Sequence, residues 1–102
     1  MIKVFISQPM QDKTHEEILM ERYSAIEAVK EKYGEEATIL DSYFTDFNEC
    51  KHKNVPLAYL AQSIAILSSA DVAVFCEGWD YSRGCQIEYQ CATRYGIDVI
   101  KL

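Results

Sequence analysis

Four short apolar runs, separated by segments with helical periodicity, constrain the fold of this chain more than any other feature of its sequence. The runs are IKVFI (2–6), ATILD (37–41), ADVAVF (70–75) and IDVIKL (97–102). Each has the length and the β-branched composition of a strand. After Asp71 the third run is apolar throughout, which indicates a strand covered on both faces. Strands that alternate with helices predict parallel pairing, right-handed crossovers and a three-layer α/β domain.

The segments between these runs carry the signals with which helices begin and end. Thr14 and Glu17 form a capping box at the start of the first helix, and Gly34 is a suitable residue to end it. Pro56 fits the first turn of the second helix. Apolar residues recur at helical spacing along the first helix and predict its buried stripe: Ile18, Leu19, Tyr23, Ile26, Val29 and Tyr33.

The third helix, predicted from Gly84 to Tyr95, carries a glutamate near its start. Its predicted buried side consists of Ile87, Cys91, Ala92 and Tyr95. Glu88 is expected at the edge of that side. It is either a solvated glutamate stabilised by the positive end of the helix, or a carboxylate at a pocket mouth that attacks or stabilises a cationic carbon centre.

The expected strand order is 2-1-3-4, as in flavodoxin-like folds. Ligands of such open parallel sheets bind beyond the carboxyl ends of the strands. Two loops with unusual chemistry leave those ends, SQPMQDK (7–13) and CEGWDYSRG (76–84), and the expected order makes them neighbours. The 102 residues fit a single domain, 1–102, in which the polar stretch 42–54 is longer than the usual connection.

Composition and charge narrow the classes of partner. The net charge is −6 and the basic residues are scattered, so a nucleic acid polymer would be repelled. No run approaches the ~18 to 20 apolar residues of a membrane span, and no signal peptide is recognised, which predicts a cytoplasmic protein with no membrane partner. The cysteines lack the spacing of metal ligands, which favours free thiols and no metal: Cys50, Cys76, Cys85 and Cys91.

The loop after the third strand offers groups for an anion and for a ring. Ser82 and Gly84 open the third helix, either as an ordinary N-cap or, with backbone N–H groups, as a holder of phosphate. Arg83 is a partner for phosphate or for Glu77. Trp79 either stacks on a planar ring or covers the edge of the core.

The loop after the first strand offers hydroxyl, amide and thioether groups to a base or sugar. These candidates are Ser7, Gln8, Pro9 and Met10, although an ordinary turn explains the same residues. Two aspartates are candidates to assist Glu88. Asp80 is the nearer in sequence, whereas Asp71 begins the third strand, where capping or pairing is the alternative role.

Three motifs together resemble a known family: VFISQPM (4–10), SSADVAVFCEGW (68–79) and SRGCQIEYQCATRYG (82–96). They resemble DUF4406, which is similar to the nucleoside 2-deoxyribosyltransferases. The resemblance implies a flavodoxin-like sheet and a nucleophilic glutamate on the helix after the third strand. The E-x-x-x-A context identifies that residue as Glu88, with Ala92 following, and Asp71 matches an aspartate in the ADV element of the family.

The wider superfamily also includes nucleoside 5′-monophosphate N-glycosidases. The resemblance implies attack of the carboxylate on C1′ of the sugar, loss of the base, and transfer of the glycosyl group to water or another base. Ser82 matches the serine of the monophosphate hydrolases, whereas SQPMQDK lacks the glycine and arginine of their first loop.

We therefore expect an N-glycosidase or deoxyribosyltransferase that acts on a small nucleoside or nucleotide through Glu88, with no cofactor and no metal. A non-catalytic binder of nucleotides or ADP-ribose-like ligands is the first alternative. A protein-interaction module with aromatic loops is the second. The short sheet and the many aromatic residues predict a homodimer or a higher homo-oligomer.

Overall fold

The computed structural model describes residues 1–40 and 53–102, which form a parallel sheet of four strands with helices on both faces. The elements, in chain order, are β1 (Ile2–Ser7), α1 (His15–Tyr33), β2 (Ala37–Ile39), α2 (Val55–Leu67), β3 (Val72–Phe75), α3 (Arg83–Arg94) and β4 (Asp98–Lys101). The strands lie in the order β2-β1-β3-β4, and every neighbouring pair is parallel. The predicted α/β class and strand order are confirmed.

Alternation of side chains along the strands divides the core into two layers. One layer joins the sheet to α1 and consists of Ile2, Val4, Ile6, Ala25, Val29, Val72, Val74 and Cys76. The other joins the sheet to α2 and α3 and consists of Phe5, Leu67, Ala73, Phe75 and Ala92. The alternation continues past the apolar run, so that Ser7 turns towards α3 and Gln8 towards α1.

The buried stripe of α1 differs from the predicted one. Ile18 and Val29 are buried as expected, but Leu19 and Tyr23 are 47% and 67% exposed. Arg22 is buried in the stripe, where its guanidinium donates a hydrogen bond to the side chain of Gln8. A stripe counted from apolar residues alone misses an arginine that finds a partner inside the protein.

The buried face of α3 also differs from the prediction. Ile87 and Tyr95 are 39% and 84% exposed, whereas Cys85, Glu88 and Ala92 are buried. Glu88 therefore lies on the buried face of the helix and not at its edge. The helix turns this carboxyl group inward because Ser7 of β1 hydrogen-bonds it there.

The ends of the helices follow the predicted cap signals. The Thr14 hydroxyl accepts a hydrogen bond from the backbone N–H of Glu17, and Gly34 ends α1 with φ of 67°. Pro56 lies in the first turn of α2. β2 ends at Ile39, and the remainder of the predicted strand at Asp41, most of the predicted connection 42–54 and Cys50 lie outside the described residues. In the described ranges, no helix has the length and apolar character needed to cross a bilayer.

Candidate active site

A buried serine and a buried glutamate meet where β1 and β3 end. Ser7 is the last residue of β1, and Glu88 lies in the second turn of α3, which follows β3. The Ser7 hydroxyl donates a hydrogen bond of 2.6 Å to Oε1 of Glu88. The two residues are 2% and 8% exposed. The pair lies at the carboxyl edge of the sheet, where open parallel sheets bind their ligands.

Burial changes the acidity of this carboxyl group. It raises the pKa of Glu88 from its ordinary value of 4.5 to about 7, and the hydrogen bond from Ser7 acts in the opposite direction. Desolvation dominates because the ionised form loses its hydration inside the protein. Near neutral pH the group therefore exists in both protonation states, and such perturbed carboxyl groups cluster at functional sites.

Glu88 lines a cavity of about 360 Å³ between the end of the sheet and the helices α2 and α3. Ser7 contributes from the end of β1 and Met10 from the loop that follows it. Cys85 contributes from α3, and Tyr59 and Ser63 from α2. The sequence prediction missed the α2 wall. Tyr59 and Ser63 are four residues apart and therefore share a side of the helix, which is the signal that would have found them together.

A second cleft of about 530 Å³ opens over the start of α3. Its lining includes Pro9, Arg83 and three residues that it shares with the cavity, Met10, Ser82 and Gly84. The Ser82 hydroxyl caps α3 by accepting a hydrogen bond from the backbone N–H of Cys85 at 3.4 Å. The structure thus brings most of the residues proposed to bind substrate to one of these two spaces. The cavity lining includes Ser7, Gln8, Met10, Ser82 and Gly84, and the adjoining cleft includes Pro9 and Arg83.

Gln8 lines the cavity, but its side-chain amide is hydrogen-bonded to residues of α1. Its Nε2 donates hydrogen bonds to the carbonyl of Ile18 and to Glu21, and its Oε1 accepts one from Arg22. The amide that was expected to recognise a base is thus directed at protein groups on the opposite face of the sheet.

Trp79 packs on the protein itself. Its ring stacks on Tyr89 with a centroid separation of 4.5 Å and meets the edge of Phe75 at 5.6 Å. It does not belong to the lining of the cavity or of the cleft described above. This placement corresponds to the alternative role, in which Trp79 covers the edge of the core.

The two candidate aspartates do not join Glu88 in the cavity lining. Asp71 lies at the amino end of β3, where its carboxylate accepts a hydrogen bond of 2.8 Å from the backbone N–H of Lys3. Asp80 is exposed in the short 3-10 turn between β3 and α3, where its backbone carbonyl accepts a hydrogen bond from the Gln86 side chain. Among the described residues, Glu88 is the one acidic side chain in the lining of this cavity.

The described cysteines are free, and burial raises the pKa of two of them. The pKa of Cys76 rises to about 12, and that of Cys85 rises for the same reason. These thiols are therefore in their protonated, weakly nucleophilic form at neutral pH. In the part of the chain that the structure describes, no cluster of His, Cys, Asp and Glu has the arrangement of a metal site.

Comparison with known proteins identifies the family. The model of a domain of unknown function, DUF4406, matches residues 2–101, and the chain belongs to this family. A search of curated proteins finds no match. Among solved structures, the chain is similar to a conserved protein from Enterococcus faecalis V583, with a TM-score of 0.63 and 16% sequence identity. The match covers 99% of this chain but 62% of that protein, and at this identity it supports the fold alone.

Proposed function

We propose that this protein cleaves the N-glycosidic bond of a nucleoside or nucleotide, as an N-glycosidase or a deoxyribosyltransferase, with Glu88 as the nucleophile. The observation that carries the proposal is the buried Glu88 carboxyl group, hydrogen-bonded by Ser7 and lining a cavity at the carboxyl edge of the sheet. The proposal places the chain in the nucleoside 2-deoxyribosyltransferase-like superfamily, which includes the nucleoside 5′-monophosphate N-glycosidases.

A single carboxyl group in the cavity favours an N-glycoside over an O-glycoside. Retaining O-glycosidases use two carboxyl groups, one to attack the sugar and one to protonate the departing alkoxide. Among the described residues, the cavity offers Glu88 alone. A nucleobase spreads the electron pair of the broken bond over its ring and accepts a proton from water, so it leaves without a dedicated carboxylic acid.

The chemistry proceeds in two displacements. Since Ser7 holds Oε1, the other oxygen of the ionised Glu88 attacks C1′. The bond from C1′ to nitrogen breaks, its electron pair goes to the base, and water supplies the proton that the base takes up. Water or a second base then attacks C1′ of the glycosyl ester and loses a proton to solvent, and Glu88 is released as a carboxylate. With water, the sum is nucleoside plus water giving sugar plus base.

The remaining groups divide between the two ends of the substrate. Ser82, Arg83 and Gly84 lie at the start of α3, where backbone N–H groups and a guanidinium favour the sugar or its phosphate. Pro9 and Met10 line the base side. Developing positive charge on the sugar ring stabilises the Glu88 carboxylate, so that the buried group ionises more readily with substrate in place.

The second candidate function is non-catalytic binding of a nucleotide or an ADP-ribose-like ligand. The raised pKa of Glu88 favours it, because a neutral carboxylic acid donates a hydrogen bond to a ligand instead of attacking it. The two candidates differ in one outcome, which is whether base is released.

The experiment is an assay of base release. Purified protein is incubated with ribo- and deoxyribonucleosides and their 5′-monophosphates, with and without a second free base, and products are separated by chromatography. Wild-type protein, Glu88→Gln and Glu77→Gln are compared, because Glu77 is an exposed glutamate at the same edge of the sheet. We expect release from at least one substrate, a loss of at least about a thousandfold in Glu88→Gln, and no loss in Glu77→Gln.

Either of two results would contradict the catalytic proposal. Base release that persists in Glu88→Gln would remove Glu88 from the chemistry. Binding of a nucleotide without release of base from any substrate, by folded protein, would establish the second candidate.

A further inference from the structure

The side chain of Gln8 is anchored on α1 by three hydrogen bonds. Its Nε2 donates to the carbonyl oxygen of Ile18 at 3.3 Å and to Oε1 of Glu21 at 3.0 Å. Its Oε1 accepts from Nη1 of Arg22 at 3.3 Å. Gln8 and Arg22 are 6% and 7% exposed. Because both amide protons and the carbonyl already have protein partners, this amide is poorly suited to recognise a ligand.

Glu21 connects the two ends of the first loop. Its Oε1 accepts the hydrogen bond from Gln8, and its Oε2 forms a salt bridge of 2.7 Å with Nζ of Lys13. The segment between Gln8 and Lys13 carries Pro9 and Met10 into the lining of the cleft and the cavity. One carboxylate on α1 therefore holds the loop that forms a wall of the site.

The position of Gln8, directly after the last residue of β1, connects this anchor to Glu88. Ser7 and Gln8 are consecutive residues of an extended chain, so their side chains leave the backbone on opposite faces of the sheet. An anchor on the α1 face limits the movement of the backbone that carries the Ser7 hydroxyl on the α3 face. The hydrogen bond of 2.6 Å from Ser7 to Glu88 depends on that backbone, since such bonds weaken steeply with distance and angle.

We infer that Gln8 is a positioning residue, which, with Glu21 and Arg22 on α1, holds the end of β1 so that the Ser7 hydroxyl remains on Glu88. Although Gln8 lines the cavity, the inference assigns its amide to holding the backbone of the site and not to recognising substrate. It deepens the proposed function and rests on it for the catalytic consequence, but the geometry that it concerns is measurable without turnover.

The test is the titration of Glu88, followed by NMR of protein labelled with ¹³C at the glutamate carboxyl groups. The other side chains with polar or titratable groups in the lining of this cavity are Ser7, Gln8, Tyr59, Ser63, Ser82 and Cys85. Wild-type protein, Ser7→Ala, Gln8→Met and the double variant are compared. Loss of the Ser7 hydrogen bond raises the pKa of Glu88, because that bond favours the ionised form.

We expect Gln8→Met to raise the pKa of Glu88 in the same direction as Ser7→Ala, and the double variant to titrate like Ser7→Ala alone. Such non-additivity is the signature of two residues that act through one interaction. An unchanged titration in Gln8→Met would overturn the inference. So would shifts that add in the double variant, because they would show that Gln8 acts on Glu88 without Ser7.

A milder variant keeps the test decisive if Gln8→Met does not fold after the loss of its hydrogen bond with Arg22. Glu21→Gln keeps the Gln8–Arg22 contact and removes the charge that binds Lys13. We expect Glu21→Gln to raise the pKa of Glu88, but by less than Gln8→Met does. The direction is informative, because removal of the negative charge of Glu21 would by itself lower the pKa of Glu88. The matched control is Glu27→Gln, an exposed glutamate of α1 that pairs with Lys30 at 3.8 Å, for which we expect no change.

The experiments distinguish a failure of the Gln8 inference from a failure of the proposed catalytic function. Coupled shifts without base release would leave Gln8 as the residue that positions Ser7 in a binding protein. If base is released, we also expect Gln8→Met to lower kcat about tenfold with little change in KM and to move the acidic limb of the pH profile upward. A changed KM with an unmoved pH profile would instead assign Gln8 to substrate contact and overturn the inference.

Discussion

The Glu88 carboxyl group makes the stability of this protein depend on pH. Its pKa in the folded chain is about 7, above its ordinary value of 4.5, so folding favours the neutral form. The contribution of Glu88 to the free energy of unfolding is therefore most favourable below pH 4.5, and it is lost as the pH rises through 7. Ionisation of this buried acid therefore lowers the stability of the folded protein at neutral and alkaline pH.

We expect Glu88→Gln to be more stable than wild-type protein at pH 8, by about 1 to 3 kcal/mol, and to show no such gain at pH 4. The amide has nearly the volume of the acid and offers an oxygen to Ser7, but it does not ionise. Urea unfolding at pH 4, 6 and 8 measures the effect. A difference in the free energy of unfolding that stays constant with pH would show that burial does not perturb Glu88.

The start of α3 depends on one hydroxyl group. Ser82 caps the helix through the backbone N–H of Cys85, and the same residue lines both the cavity and the cleft. We expect Ser82→Ala to lower the free energy of unfolding by about 0.5 to 2 kcal/mol, and Ser82→Asp, a good cap, to restore most of it. Urea unfolding of the two variants tests this, and equal losses in both would mean that capping is not the role of Ser82.

Packing of the 3-10 turn onto α3 depends on an aromatic cluster. Trp79 stacks on Tyr89 and meets the edge of Phe75. We expect Trp79→Leu to lower the free energy of unfolding by about 1 to 3 kcal/mol and to leave ligand affinity unchanged. Tyr81→Leu is the matched control, since Tyr81 lies in the same turn and is 88% exposed. If Trp79→Leu lost ligand affinity at unchanged stability, Trp79 would have to be assigned to the binding site.

The two ends of the sheet are expected to behave independently. Asp71 fastens the amino end of β3 to β1 through Lys3, whereas Ser7 and Glu88 meet at the carboxyl end. We expect Asp71→Ala to lower the free energy of unfolding by about 1 kcal/mol and to leave the titration of Glu88 and any base release unchanged. A shifted titration of Glu88 in this variant would show that Asp71 assists the glutamate from a distance.

Much of the architecture of the whole chain was predictable from local signals. Apolar runs, the capping residues Thr14 and Pro56, and Gly34 each act within one element, so the order of the elements followed from them. The sheet order was expected from flavodoxin-like folds and is confirmed, but no local signal determines it. The buried faces of α1 and α3 did not follow. Both faces include a charged residue, Arg22 or Glu88, that hydropathy places outside. Each is buried beside a polar partner at the end of β1, since Arg22 pairs with Gln8 and Glu88 with Ser7. A count of apolar residues does not detect such pairing between distant parts of the chain.

The residues of the candidate site also divide into those that local sequence predicts and those that only the tertiary structure brings in. Glu88, Ser82 and Gly84 stand in one short motif, and local sequence therefore pointed to them. The partner of Glu88 is Ser7, which is 81 positions away, and the α2 wall with Tyr59 and Ser63 comes from a third part of the chain.

Periodicity and cap signals act over a few residues, so they determined the helices and strands. Which polar groups meet was decided by the parallel sheet, because its order and alternation bring distant residues to one edge and turn Ser7 and Gln8 to opposite faces.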